Sequence, residues 1–231
     1  MGRHENPVVE PVETPHRHTM AGMATSPASI AGLVLAAGAG SRYGMPKAVA
    51  RGDDGIPWLV HTIGTLTDAG CSPVIVVLGA RAAEARALLD EFGLTASVVV
   101  ARAEDWAEGL SASLRAGLRQ AAELQATELL PAPIAVAIVP VDLPGLQTST
   151  VARLIGTLSG VTDADVNPHT LRQASFDARP GHPVVIGRAH WAAITDSATG
   201  DTGARPYLRS HDTRLVDCTD LETGLDVDQR D

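Results

Sequence analysis

The stretch from Ile30 to Lys47 constrains this chain more than any other. Ile30 to Ala37 is an unbroken apolar run, which reads as a strand buried on both faces. It empties into Gly38-Ala39-Gly40-Ser41-Arg42-Tyr43-Gly44-Met45-Pro46-Lys47. Gly38, Gly40 and Gly44 lack a Cβ and can take positive φ, so successive backbone N–H groups can converge on an anion. Arg42 adds a planar fork and Lys47 a compact point charge, a pair suited to a polyphosphate. Lys47 is also the only lysine in the chain. The same residues would equally make a tight strand-to-helix turn with solvated charges, and a glycine loop alone does not choose between the two.

Two familiar phosphate loops do not fit. A P-loop needs Lys directly after its last Gly and then Ser or Thr, whereas Met45 and Pro46 intervene here and Ala48 follows. A dinucleotide fingerprint needs its third Gly where Tyr43 stands and an acidic residue ending the second strand, where Leu78-Gly79-Ala80 stand. The loop instead resembles the signature of the MobA-like nucleotidyltransferases, L-A-A-G-x-[GS]-x-R-[FM]-G-x-x-K, with every fixed position met except Tyr43.

Composition bounds the rest. At 231 residues and 45% hydrophobic content the chain can fill one well-packed domain, not two large ones. A net charge of −9 makes nucleic acid or an anionic membrane a poor partner, and no apolar run is long enough for a membrane span. Cys71 and Cys218 make no metal-ligand spacing and read as reduced thiols of a cytoplasmic protein. Residues 1–28 are rich in Pro, His, Glu and Thr without apolar period and read as a disordered leader, His4, His16 and His18 included, so the domain is placed at 29–231.

Along the chain, helices are expected at 56–69, 80–92, about 109–118, 148–158 and 203–210, and strands at 30–37, 73–78, 96–101, 134–139, 183–186 and 215–218. The order β-α-β-α-β predicts an α/β fold, a Rossmann-like three-layer sandwich with a mostly parallel sheet. Residues 160–172 read as a loop. Ligands of such sheets bind beyond the carboxyl ends of the strands, which aims Asp142, just after the fourth strand, at the crevice of the glycine loop. A structural Asp is the alternative there, although Thr148 or Ser149 is better placed to cap the following helix.

Five further motifs resemble elements of this family and of its molybdenum cofactor cytidylyltransferases in particular. Trp106, Gly109 and Ser113 match a W-x-x-G-x-x-x-S base-binding segment, although free N–H groups and hydroxyls at a helix start explain themselves by capping as well. Val139-Pro140-Val141-Asp142-Leu143-Pro144 matches the element that supplies a magnesium carboxylate. Pro180-Gly181-His182-Pro183 matches an acceptor-facing element, and Gly200-Asp-Thr-Gly-Ala-Arg205 a segment before a helix, where Asp201 or Thr202 also serves as a plain cap. The ending Asp226-Val227-Asp228-Gln229 resembles D-x-D-T-P-E-D with Gln for Thr and the final helix missing, so Asp228 is the second metal candidate and Asp226 its substitute; a frayed acidic tail is the competing reading.

The resemblance spans residues 30–228 and implies a Mg²⁺-dependent nucleotidyltransferase, in which an acceptor phosphate attacks the α-phosphorus of a bound NTP and pyrophosphate leaves. It assigns Leu35, Ala36, Ala37, Gly38, Gly40, Ser41, Gly109 and Ser113 to the nucleotide, Arg42 and Lys47 to catalysis, Asp142 and Asp228 to the metal, and Gly181 and His182 to the acceptor. Ala-Ala-Gly at the turn points to CTP, and Pro-Gly-His-Pro to a molybdopterin-type acceptor destined for a molybdenum hydroxylase. A sugar phosphate or another phosphorylated alcohol is the alternative acceptor, and a cofactor carrier without turnover the alternative function.

Overall fold

The computed structural model describes residues 1–2, 29–40, 43–126, 131–158 and 165–227. The leader from 3 to 28, Ser41, Arg42, part of the loop expected at 160–172 and the chain from Asp228 onward lie outside them.

The apolar run forms strand β1, Ser29–Ala36, at the centre of a seven-stranded sheet. The remaining strands are β2 (Val74–Leu78), β3 (Val98–Arg102), β4 (Pro133–Pro140), β5 (Leu171–Phe176), β6 (Arg179–Gly187) and β7 (Arg214–Asp217), and the sheet order is β3-β2-β1-β4-β6-β5-β7. Strands β3, β2, β1 and β4 run parallel to one another, β6 is antiparallel to both β4 and β5, and β7 is parallel to β5. The mostly parallel sheet expected from the sequence is the one observed.

Among the described residues six helices cover the two faces: α1 (Trp58–Asp68), α2 (Ala82–Glu91), α3 (Leu110–Glu123), α4 (Thr148–Ile155), α5 (Trp191–Ser197) and α6 (Arg205–Ser210). The period of two along each strand divides the core. Val34, Val76, Ala137 and Val139 join Leu59 and Leu66 of α1, Leu89 of α2 and Leu154 of α4 on one face. Leu33, Leu35, Ile75, Val77 and Ile138 join Leu114 and Leu118 of α3, Trp191 of α5 and Leu208 of α6 on the other. Each fully buried Leu of these layers contributes about 2 kcal/mol by leaving water. A strand apolar on both faces has to sit between two such layers, and the resulting architecture is the Rossmann-like three-layer sandwich.

Several elements depart from their expected positions. Pro57, expected inside the first turn of α1, takes the N-cap position with extended φ and ψ of −61° and 137°. Strand β5 occupies residues expected in a loop and a turn, because buried Arg172 breaks the apolar alternation and donates to the Leu154 carbonyl at 2.9 Å. Strand β6 starts four residues before the expected Pro183. Helix α5 has seven residues and no side-chain cap, too little for a periodic signal. Neither Thr148 nor Ser149 caps α4: its N-cap is Gln147, whose backbone N–H donates to the Glu222 carboxylate at 2.7 Å. Among the described residues no helix is long and apolar enough to cross a membrane.

Candidate active site

The glycine loop leaves β1 at the carboxyl edge of the parallel strands. Leu35, Ala36 and Ala37 are buried and Gly38 is exposed, so the chain reaches solvent where the glycines begin. Gly40 has φ of +63°, and a Cβ there would lie 1.8 Å from the Met45 carbonyl oxygen. Only glycine meets both conditions, and the turn closes with Gly44 N–H donating to the Gly40 carbonyl at 2.9 Å. Tyr43, the one departure from the family signature, is buried with its ring 5.2 Å from that of Trp58. An aromatic or long apolar residue serves that place equally well, so Tyr43 leaves the loop unaltered. Ser41 and Arg42 lie outside the described residues.

Lys47 opens a single 3-10 turn, Lys47–Val49, that packs against α1. Strand β4 lies beside β1 with Pro140 in register with Leu35, and Val141 N–H donates to the Leu35 carbonyl at 3.1 Å. Asp142 therefore emerges at the mouth of the glycine loop. Its Oδ2 accepts from Lys47 Nζ at 2.8 Å, with the two side chains 15% and 21% exposed for Lys47 and Asp142. Residues 95 apart in sequence thus meet as a part-buried, charge-assisted pair that solvent still reaches.

The C-terminal segment returns to the same place. Val227 N–H donates to the Asp142 carbonyl at 3.0 Å, which lays the segment carrying Asp226 and Val227 alongside the Asp142 loop. Asp226 is exposed, and Asp228 lies outside the described residues. Among the described residues no group of three or more His, Cys, Asp or Glu side chains could hold a metal by itself. Asp142 and Asp226 supply carboxylate oxygen, the donor that a hard divalent cation takes one or two at a time, with substrate phosphates and water completing its shell.

Strand β6 brings the third motif to this edge, since Val184 pairs with Ile138 of β4 and His182 lies two residues further toward the crevice. Gln173 Nε2 donates to the Gly181 carbonyl at 3.1 Å and fixes the turn before His182. Desolvation pulls the His182 imidazole down to about 4; the Asp142 carboxylate opposes that and Arg205 adds to it. His182 is accordingly neutral at pH 7, and Asp142 and Arg205 both lie close enough for their charges to reach it. The thiols of Cys71 and Cys218 are buried, pushed up by desolvation to about 12 and about 11, and take no part.

The start of α3 differs from expectation. Leu110 N–H donates to Asp201 Oδ1 at 3.3 Å, Ser111 N–H to the Gly200 carbonyl at 2.9 Å, and Gly203 N–H to Ser111 Oγ at 3.1 Å. The N–H groups expected to be open to a base are held by the 200–203 loop, and Ser113 is 5% exposed behind them. Gly109 stands against Asp201, where a Cβ would fall 2.2 Å from its carboxylate. Asp201 and Thr202 do not cap α6, whose N-cap is Ala204. Sequence reasoning missed this tie because Asp201 and Leu110 are 91 residues apart, and an Asp before a helix already has a local explanation.

The geometry thus collects a glycine-rich anion loop, an ammonium, a carboxylate and a neutral imidazole at one edge of a mostly parallel sheet. A model of the MobA-like NTP transferase domain matches residues 32–215. The chain belongs to the MobA-like NTP transferase family. Nicotine blue oxidoreductase of Paenarthrobacter nicotinovorans is 34% identical over 215 residues, covering 86% of this chain and 92% of that protein. The structure of Rv0371c from Mycobacterium tuberculosis H37Rv aligns at a TM-score of 0.66 and 27% identity, over 88% of this chain and 95% of that one. A manganese complex of Rv0371c aligns at 0.59 and 24% identity, over 82% and 88% of the two chains. A nucleotidyl transferase from Methanothermobacter has the same fold at a TM-score of 0.66 and 21% identity, over 87% and 92%. As a member of this family the chain is a nucleotidyltransferase.

Proposed function

We propose that this protein transfers CMP from CTP to a phosphorylated acceptor of molybdopterin type, in the cytoplasm and in service of a molybdenum hydroxylase. The observation that carries the reading is the 2.8 Å approach of Lys47 to Asp142 at the mouth of the glycine loop. A basic and an acidic group held there serve the two needs of nucleotidyl transfer, alignment of phosphates and neutralisation of their charge.

In this reading the backbone from Leu35 to Gly38, with Gly40 and Ser41, cradles the phosphates of CTP. Lys47 and Arg42 face the β- and γ-phosphates, and Gly109 borders the base, with Ser113 buried behind it. An oxygen of the acceptor phosphate attacks the α-phosphorus in line, the bond from that phosphorus to the β-phosphate oxygen breaks, and pyrophosphate leaves with its charge matched by Lys47 and Arg42. The attacking phosphate is already ionised, so no side chain has to take a proton. Asp142 and Asp228, with Asp226 in reserve, would hold a magnesium ion, which supplies charge neutralisation at the α-phosphate. Gly181 and His182 border the acceptor. His182 is neutral, and Arg205, whose charge reaches it, would meet the acceptor's phosphate charge.

Incubating the protein with Mg²⁺, molybdenum cofactor and each NTP in turn tests this. Pyrophosphate release with CTP above the other nucleotides supports the reading, and release with a sugar phosphate in place of the cofactor moves the acceptor to that class. Tight binding of nucleotide or cofactor with no release favours a carrier.

A second reading comes from the relative named for nicotine blue. The same crevice would then take a flat dye and a reductant, and loss of dye colour on addition of a reduced nicotinamide dinucleotide is the test. Against it stands the end of β2, where Leu78-Gly79-Ala80 offer no acidic group for a dinucleotide ribose.

A further inference from the structure

The chain from Leu221 to Val227 has no regular secondary structure, yet it is held at three points. Glu222 Oε2 accepts from Gln147 N–H at the start of α4 at 2.7 Å, and Val227 N–H donates to the Asp142 carbonyl at 3.0 Å. Between them Gly224, with φ of +65°, lies so close to Phe176 that a Cβ would come within 2.1 Å of its ring. The segment, with Leu143, Leu146 and His182, encloses a small pocket beside the Asp142 loop.

We infer that Glu222 is a positioning residue, whose bond to α4 anchors this strap and so sets the distance between Asp226 and Asp142. Three features of the anchor suit that task. Gln147 is the N-cap of α4 and has no side-chain cap of its own, so the carboxylate meets an N–H at the positive end of a helix dipole. Glu222 is only partly exposed, and desolvation raises its carboxyl from the ordinary range while the Gln147 bond opposes that, so the side chain lies against the protein although the bond stands at an exposed helix end. Helix α4 also packs on the sheet through Val151 and Leu154, both fully buried, so the anchor is fixed to the core. Leu225 and Asp226 lie exposed between the anchor and the Val227 bond, and they have no other tie to the fold among the bonds described here. Without Glu222 the strap keeps, among the described residues, the Val227 bond, the Phe176 contact and the packing of Leu221 and Val227 on the core.

The part of this inference that concerns the metal rests on the transferase reading; the anchoring does not. Hydrogen exchange of the full-length protein, without metal or nucleotide, reads the anchor. Glu222→Ala is expected to speed exchange of the Val227 amide at least tenfold and to leave the amide of Val139 in β4 unchanged. Glu222→Gln, which keeps an acceptor oxygen, is expected to stay within threefold of the parent. Should Glu222→Ala fail to fold, Glu222→Asp, one methylene too short to reach, takes its place. Titration with Mn²⁺ in the presence of CTP reads the positioning: Glu222→Ala is expected to bind the ion at least tenfold more weakly with CTP affinity unaltered. An unchanged Val227 amide, or an unchanged Mn²⁺ affinity, overturns the inference. A parent protein that binds no Mn²⁺ with any NTP overturns the transferase reading instead, and the exchange experiment then decides the anchor alone.

Discussion

Lys47 and Asp142 are the residues whose removal should separate binding from turnover. The ammonium faces a carboxylate in the crevice now and a leaving pyrophosphate in the proposed reaction, so its work grows as charge develops. Lys47→Ala is expected to lower kcat by about 100-fold or more, as loss of a transition-state donor does. Pyrophosphate release under saturating CTP measures it. The same substitution leaves Asp142 part-buried without its partner and should cost about 1 to 3 kcal/mol in chemical denaturation without metal. His182 sets a different dependence. Its folded value of about 4 lies below the ordinary 6.5, so the neutral ring contributes stability that is complete above pH 6.5 and lost as pH falls through 4. Denaturation midpoints of the parent should therefore drop between pH 6.5 and 4, and those of His182→Asn should drop less. A variant with the same slope as the parent would remove His182 from the account.

The glycine loop and the strap hold the site as elements, and they differ in how much the sequence revealed. Gly40→Ala forces a Cβ to within 1.8 Å of the Met45 carbonyl at a φ of +63°, so the turn must open. Nucleotide affinity is expected to fall at least tenfold, measured by calorimetric titration, and the melting temperature to fall with it, because the same turn carries buried Tyr43 into the core. The loop was legible because its requirements are local: an apolar run, glycines at fixed intervals, one lysine. Strands β1, β2 and β4 were legible for the same reason, each being apolar on both faces. Strand β5 was not, since buried Arg172 bonds to α4, a partner 18 residues away that no local pattern announces. The ties of Asp201 to α3 and of Glu222 to α4 share that character. Each pairs a polar side chain with a backbone N–H more than 70 residues distant, and its sequence neighbours already supply a sufficient local reason for the residue type.

At the scale of the whole molecule, the parallel half of the sheet decides where chemistry can occur and the antiparallel strand decides what closes it. Strands β1 and β4 deliver the glycine loop and Asp142 side by side because they run in the same direction, in register from Leu35 to Pro140. Strand β6 runs the other way, so it is the start of that strand, with Gly181 and His182, that arrives at the same edge. Nucleotide and acceptor would then approach from opposite sides of Asp142, on elements belonging to one continuous core. A ligand bound across that edge stabilises the entire native state, by RT ln(1 + [L]/Kd). CTP with Mg²⁺ at 100 times its dissociation constant should accordingly add about 2.7 kcal/mol to the unfolding free energy. Thermal denaturation with each NTP, with and without Mg²⁺, reads this directly. The largest rise is expected with CTP and magnesium together, and the rise should vanish in Asp142→Ala, whose crevice lacks the carboxylate. An equal rise with GTP would reassign the base, and no rise with any nucleotide would transfer the crevice from nucleotide chemistry to the dye reductase reading.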